Sequence, residues 1–337
     1  MVSIGVPVYN GGQFLRGALD SLLAQEYPDF EIIISDNGSD DDTEAICREY
    51  AGRHTRIAYY RSERNLGPVW NFTRVRELAQ GEYFMWAAHD DRRHPEYLRR
   101  CVAALEENPR ALFCCTGIRL IDVDGNDVSD IAPFKTYHPT GSTPRERLRA
   151  WVRSGAWFDT YSLIRTRALA ELRIRPCWGG DVVLMAELCL RGEVAEVPEK
   201  LFDYRYFPAK TEEIMAQSIS TADVKVYPSW NDLAADLMEG VQRAPLSFPE
   251  RLRLTWMIAI ELCWRNPVIG GEAREEGFEA TRRAINGGKY RRAVTLAAIG
   301  LLIKTVRFSE RMANSMRYRG SKLKKAIFPR ERAPGRR

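Results

Sequence analysis

Four short apolar runs, each followed by a polar turn and then by a stretch of helical periodicity, restrict the first third of this chain to alternating strand and helix. The runs are residues 2–8, 31–35, 57–61 and 83–88. They are short, bounded by turn residues and rich in Val, Ile and aromatic side chains, as fully buried strands are. Between them, residues 11–23 carry Phe14, Ala18 and Leu22 at helical spacing after a Gly-Gly opening, and residues 40–50 start with Asp and Thr side chains suited to capping a first turn. Residues 67–79 and 95–108 repeat the pattern, the second with Leu98, Val102 and Leu105 inward. Such alternation implies right-handed crossovers and a largely parallel sheet, an α/β fold of Rossmann-like type. Open sheets of this kind bind ligands in the crevice at the carboxyl ends of their strands. Charge sits there: Asp36 closes the second run, and Asp90 and Asp91 close the fourth. Two anionic positions in one crevice want a cation between them.

With 337 residues, 45% of them hydrophobic, the chain is long enough for one large domain with an appendage or for two domains. Its start, Met1-Val2-Ser3-Ile4-Gly5-Val6-Pro7, has no basic segment and no long apolar one, so a chain that stays in the cytoplasm is expected. The seven cysteines form no Cys-x-x-Cys pair and are odd in number, which argues against a zinc site and a disulfide framework and for buried free thiols. The four histidines, 54, 89, 94 and 138, give no ligand spacing on a helix face. Net charge is +5, but residues 281–337 hold 17 Lys/Arg against two acids, leaving 33 basic and 43 acidic residues before them. A basic end on an acidic body suggests an anionic partner, membrane or nucleic acid.

Four segments in order carry a resemblance. They are Val2-Ser3-Ile4-Gly5-Val6-Pro7-Val8-Tyr9-Asn10, Ile33-Ile34-Ser35-Asp36-Asn37-Gly38-Ser39-Asp40-Asp41-Asp42-Thr43, Asn65-Leu66-Gly67 and His89-Asp90-Asp91. Together they resemble the nucleotide-binding half of the inverting family-2 glycosyltransferases of bacterial surface-glycan type, which have the GT-A nucleotide-diphospho-sugar transferase fold. The resemblance is strong over about residues 1–125 and weak to about 210. It implies that Pro7, Val8 and Tyr9 line the base and ribose, Tyr9 as a stacking face, and that Asp36 accepts from the base imide. Arg64 and Asn65 would meet the base or the phosphates. Asp90 and Asp91 would match the metal motif, Asp91 binding Mn²⁺ or Mg²⁺ directly and Asp90 reaching the ribose or a metal-bound water. The residues alone leave other readings open: a helix cap or Asx-turn for Asp36, a helix cap for Asp90 or Asp91, a solvated surface position for Arg64.

An inverting transfer needs a base for the acceptor hydroxyl. The resemblance offers Asp181, after Cys177-Trp178-Gly179-Gly180 and before the amphipathic segment 182–190, with an ordinary helix cap as the bland alternative. Trp178 would stack on an acceptor sugar, and Trp151, Trp157, Tyr161 and Arg165 would lie beside it, although core packing accounts for Trp151 and Trp157 equally well. Relatives often follow residues 201–205 with an Arg and His pair that steadies the diphosphate. Here Arg205 remains and the His is absent, with Lys210 as a substitute cation and a surface position as the alternative for Arg205. The acidic stretch 120–128 lacks the ligand pattern and closing Glu of a calcium loop and reads as a hairpin on an Asp-Gly turn. Residues 131–144 read as a loop near the acceptor.

The expected organisation is a GT-A domain over residues 1–210, divided at 125 into nucleotide-sugar and acceptor sides. A helical, basic region follows over 211–328, then a disordered tail over 329–337. Residues 223–238, 249–264 and 272–285 have helical spacing, and the apolar run 294–303 is too short to cross a bilayer. Its basic flanks suit it either to an anionic membrane surface or to packing on its own domain. The function implied is metal-dependent transfer of a sugar from a nucleotide diphosphate sugar to a glycan or lipid-linked hydroxyl acceptor. Two other classes stay open. One is a nucleotidyltransferase that makes the activated sugar, although Gly11-Gly12-Gln13-Phe14-Leu15-Arg16 is a poor triphosphate loop. The other is a nucleotide-sensing, nucleic-acid-binding protein, disfavoured because the aromatic residues of the tail are too sparse for a stacking platform.

Overall fold

The computed structural model describes residues 1–130, 138–154, 158–175, 179–207 and 230–265. Within them, one mixed sheet has the strand order β3-β2-β1-β4-β7-β6-β8-β5. Its first half is the expected alternation: β1 (Val2–Val8), α1 (Leu15–Leu23), β2 (Phe30–Asp36), α2 (Thr43–Arg53), β3 (Ile57–Arg61), α3 (Pro68–Leu78) and β4 (Tyr83–Trp86). Strands β1, β2, β3 and β4 pair in parallel, with Val8 opposite Asp36 and Asp36 opposite Arg61. The ends of β1 and β2 therefore lie side by side, as a crevice requires.

The second half departs from a purely parallel sheet. After β5 (Arg92–Arg93), α4 (Tyr97–Glu107), β6 (Ala111–Ile121) and α5 (Pro144–Ser154) comes the short β7 (Leu163–Arg165), antiparallel to both β4 and β6. Then α6 (Gly180–Arg191) leads to β8 (Glu193–Arg205), parallel to β6 and antiparallel to β5. The expected hairpin after residue 120 is present: Asp122 Oδ1 accepts from the amides of Asp124 and Asn126, and Ile121 bridges Asp127.

Side chains from both faces of the sheet make the core, among them Ile4, Val6, Ile32, Ile34, Met85, Leu98 and Leu105, all buried. Helix α3 approaches β1 so closely that a Cβ on Gly5 would stand 2.7 Å from Val75 Cγ2. Only glycine fits such a contact without movement. Helix α7 (Trp230–Arg243) docks against α6 and the segment before it through ion pairs whose acidic partners, Asp236 and Glu187, are buried. Arg175 reaches Asp236 at 2.6 Å, and Arg243 pairs with Glu187 of α6. Residues 1–258 form one compact unit, and residues from Ala259 onward fall in a second, of which only the end of α8 (Phe248–Arg265) is described. No helix among the described residues is long and apolar enough to cross a membrane. The expectations placed on 131–137, Trp157, Cys177, Trp178, Lys210, 272–285, the run 294–303 and the basic tail lie outside the described residues.

Candidate active site

A cavity of 290 Å³ opens at the carboxyl ends of β1 and β4 and is lined by Pro7, Val8, Tyr9, Asn37, Asn65, Pro68, Asn71, Phe72, Ala88, His89, Asp90, Asp91, Tyr161 and Tyr204. Its two walls differ in chemistry. One is made of three amide side chains with Pro68 and Phe72 and carries no formal charge. The other holds Asp90 and Asp91. Tyr9 stands at the mouth, 43% exposed, while Pro7 and Val8 form the floor.

Two turns build the amide wall. Asn10, with φ of 51°, exchanges two bonds with Asp40: its Nδ2 donates to Asp40 Oδ1 at 2.7 Å, and its Oδ1 accepts from the Asp40 amide at 3.1 Å. The Gly11 and Gly12 amides donate to Thr43 Oγ1 and Asp41 Oδ2, both at 2.9 Å. The Asp and Thr residues expected to cap α2 thus also tie down the loop after β1: Asp41 Oδ1 accepts from the Thr43 amide at 3.0 Å in the helix's first turn, whereas Asp42, at the cap position, makes no side-chain cap bond. Gly38, with φ of +74°, lets the second turn pass under Arg64, whose backbone would meet a Cβ there at 2.7 Å. Asn37 then donates to Asn65 Oδ1 at 2.9 Å and accepts from the Leu66 amide at 2.9 Å, locking the β3–α3 loop in place.

Asp36, placed against the base by the sequence reading, is otherwise engaged. Its carboxylate is 0% exposed and accepts from the Ser39 amide at 2.9 Å, the Tyr59 hydroxyl at 2.9 Å and Arg61 Nε at 3.1 Å. Three donors satisfy a buried carboxylate, and Asp36 is not among the residues lining the cavity. The carboxylate accepts from the amide three residues on, a cap-like bond within the turn that follows β2. Arg64 is exposed and is not among the lining residues, whereas Asn65 lines the cavity.

The charged wall is the reverse case. Asp91 is 3% exposed; Oδ1 accepts from the Arg205 amide at 2.9 Å, but Oδ2 is buried with no hydrogen-bond partner. Burial, and then the neighbouring charge of Asp90, pushes the Asp91 pKa up against the opposing pull of Arg93 and Arg205. A buried carboxylate oxygen of this kind needs a proton or a cation. Arg205 is buried, not a surface residue. Its Nε donates to the Asp90 carbonyl at 2.9 Å, its guanidinium also holds the carbonyls of Asp122 and Val123, and it lies 4.5 Å from the Phe14 ring centroid. That side chain clamps the Asp90–Asp91 turn to the hairpin. Arg93 backs the same turn with its guanidinium 3.5 Å from the centroid of Phe202.

Asp181 stands in the first turn of α6, behind Gly179 at the cap position with φ of 72°. Burial raises its pKa, opposed by the amides of Val182 and of Asp181 itself and by the Thr160 hydroxyl, 3.5 Å from Oδ2. Its relation to the other carboxylates is read from two phenols on the cavity wall. Burial raises the pKa of Tyr161, as do, in decreasing order, Tyr204, Asp91, Asp90 and Asp181; burial raises that of Tyr204, followed by Asp91, Asp90 and Asp181. All three carboxylates therefore lie within electrostatic reach of one tyrosine pair.

Trp151 and Arg165 lie elsewhere. Trp151 is core and donates to the Val182 carbonyl, and Arg165 is buried on the carbonyls of Ala111 and Leu105. Asn37, Asn71, His89, Arg93 and Tyr204 were not singled out from the sequence. Asn71 is an amide in an otherwise ordinary amphipathic stretch, and Tyr204 stands far along the chain from the cavity's other residues. Outside the cavity the fold also gathers Cys115, His138 and Asp159, with donor atoms within 4.8 Å of one another, His138 Nδ1 being 3.3 Å from Asp159 Oδ1. Separated segments supply these residues, which is why no ligand spacing shows in the sequence.

A parallel α/β half joined to a mixed half, with paired carboxylates at the crevice, defines the GT-A class of glycosyltransferase folds. The solved structure of Staphylococcus aureus TarS residues 1–349 matches with a TM-score of 0.63 at 17% identity, covering 93% of this chain and 91% of that one; TarS has also been solved in complex with UDP-GlcNAc. The mannosyltransferase PcManGT from Pyrobaculum calidifontis, solved with GDP-Man and Mn²⁺, matches with a TM-score of 0.52 at 16% identity, covering 90% of this chain and 86% of that one. Residues 3–173 match Glycosyl transferase family 2, and the chain belongs to that family. An uncharacterized glycosyltransferase of Rickettsia typhi is 35% identical over 140 residues, 41% of this chain and 42% of its own length. EpsH of Bacillus subtilis is 27% identical over 229 residues, 67% of this chain and 59% of its own. The chain thus spans less than half of that rickettsial relative.

Proposed function

We propose that the chain transfers a sugar from a nucleotide diphosphate sugar to a hydroxyl acceptor, with inversion at the anomeric carbon. The observation that carries this reading is Asp91 Oδ2, buried and without a partner beside Asp90, on a cavity whose opposite wall is uncharged. Oxygen donors in that setting fit a hard divalent cation, Mn²⁺ or Mg²⁺, which Asp91 and Asp90 would hold. When bound, such an ion neutralises the diphosphate and so eases its departure. Pro7, Val8 and Tyr9 hold the nucleoside, Tyr9 by stacking; Asn65 lines the cavity, with Arg64 next to it in the chain; Arg205 keeps the Asp90–Asp91 turn in place. Asp181 takes the acceptor's proton on a carboxylate oxygen, a task that its raised pKa suits. Complexes of TarS with UDP-GlcNAc and of PcManGT with GDP-Man and Mn²⁺, in the same fold, support the reading.

A nucleotidyltransferase is disfavoured on a specific ground. The Gly11 and Gly12 amides that would cradle a triphosphate are already donating to Thr43 and Asp41. We place the activity in cell-surface polysaccharide or lipid-linked glycan assembly, at the cytoplasmic face of the membrane, with a lipid-linked or glycan acceptor and peripheral contact through the basic tail. Turnover of a panel of nucleotide sugars with Mn²⁺ tests the reaction. Wild type is expected to consume at least one, and Asp91→Ala and Asp181→Ala are each expected to lose roughly a hundredfold or more in rate. Equal turnover in all three would contradict the assignment.

A further inference from the structure

We propose that Asn71 reads the nucleobase of the donor, accepting a hydrogen bond at Oδ1 from a ring N–H. It would thereby favour uracil, thymine or guanine over adenine and cytosine. The inference rests on the nucleotide-sugar reading above and deepens it.

Asn71 lies in the first turn of α3 and is 3% exposed. Its Nδ2 donates to the Val8 carbonyl at 3.2 Å and the Ser35 carbonyl at 2.9 Å, at the carboxyl ends of β1 and β2. Two carbonyl partners fix which end of the amide is nitrogen, so the other end is an oxygen. That Oδ1 is buried and has no donor, and Asn71 is among the residues lining the cavity. Buried acceptors are nearly always paired, and an orphan on a ligand cavity is accounted for by a donor that the ligand brings.

The surrounding wall indicates which part of the ligand this is. Asn37, Asn65, Pro68 and Phe72 share it with no charged group, which suits a neutral planar ring bearing N–H and C=O groups and does not suit a diphosphate. Asn65 Oδ1 is already accepting from Asn37 and from the Gly67 amide, leaving Nδ2 to donate to a ring carbonyl. An acceptor near a donor matches a ring N–H flanked by carbonyl oxygen, as in uracil, thymine and guanine. Adenine and cytosine have a lone pair at the corresponding ring nitrogen and would set it against Oδ1. Asp36 is fully buried outside the cavity lining, with three donors already on its oxygens.

The test uses the full chain with Mn²⁺ and measures dissociation constants calorimetrically for UDP, GDP, ADP, CDP, 3-methyl-UDP and 1-methyl-GDP. Wild type is expected to bind UDP or GDP about ten- to a hundredfold more tightly than its N-methylated partner, the range set by leaving a buried acceptor unpaired. In Asn71→Ala that ratio is expected to collapse towards one. Merely structural damage would weaken both members of the pair alike and leave the ratio intact, and that result would overturn the proposal while nucleotide binding stood. Asn71→Ser carries the same comparison should the alanine variant fail to fold. Wild type binding ADP or CDP as tightly as UDP and GDP would overturn it without any variant. Wild type binding no nucleoside diphosphate would overturn both this inference and the reading beneath it.

Discussion

At the residue scale, the chemistry turns on which buried polar atoms are satisfied and which are not. Asp36 ends β2 and Asp91 follows β4, the two strands that flank β1, and they look equivalent in the sequence, yet one has three donors and the other an oxygen with none. The difference comes from β3, which delivers Tyr59 and Arg61 to Asp36, a cross-strand relation that no local pattern records. Asp181 presents a third case, a carboxylate in a helix's first turn whose pKa burial has raised. A raised folded value means that the fold favours the protonated form, so Asp181 costs stability as pH rises through that value and gains nothing by ionising. Asp181→Asn is therefore expected to melt no earlier than wild type at pH 7, by differential scanning calorimetry, while transfer falls about a hundredfold or more. In wild type, transfer should decline as pH drops through the raised pKa, because the base works only as the carboxylate. A melting temperature clearly below wild type at pH 7 would show that Asp181 is held for stability instead.

Individual elements are placed by a few close contacts rather than by propensity. Helix α3 carries Asn71 to the cavity only because Gly5 admits Val75 against β1. Gly5→Ala should force that helix outward and cost about 1–3 kcal/mol in urea unfolding, and trimming Val75 to Ala in the same chain should recover much of the loss. An unaffected midpoint would refute the tight contact. The strands and helices of the first half were legible because buried parallel strands read as continuous apolar runs. The second half was less so. β7 is three residues long and antiparallel to both neighbours, and so short a segment leaves no periodicity to detect. Asp181 was singled out through the resemblance alone and is not among the cavity-lining residues; Tyr161 and Tyr204, which do line the cavity, come within its electrostatic reach only after β8 and the turn before β7 have folded.

For the whole molecule, charge is divided along the chain. Residues 281–337 are strongly basic, and the body before them is acidic. An acidic body lowers any tendency to bind anionic membrane by itself, so the membrane contact proposed above would fall to the tail, at about 1 kcal/mol per basic residue near the surface. The full chain should float with vesicles containing phosphatidylglycerol at low salt and be released at about 0.5 M salt, where screening shortens the reach of surface charge. A chain ending at residue 265 should stay at the bottom of the gradient. Preference of the full chain for duplex DNA over such vesicles would move the tail's partner to nucleic acid.

The proposed mechanism divides labour between two acidic positions: Asp91 with its ion for holding the donor, Asp181 for the acceptor's proton. Calorimetric titration of the consumed nucleotide sugar, with Mn²⁺ present, into wild type, Asp91→Ala and Asp181→Ala separates these directly. Donor affinity is predicted to fall by about tenfold or more in Asp91→Ala, to stay within roughly twofold of wild type in Asp181→Ala, and to depend on Mn²⁺ only where Asp91 is intact. Unchanged, metal-independent affinity in Asp91→Ala, or a matching loss in Asp181→Ala, would contradict the account.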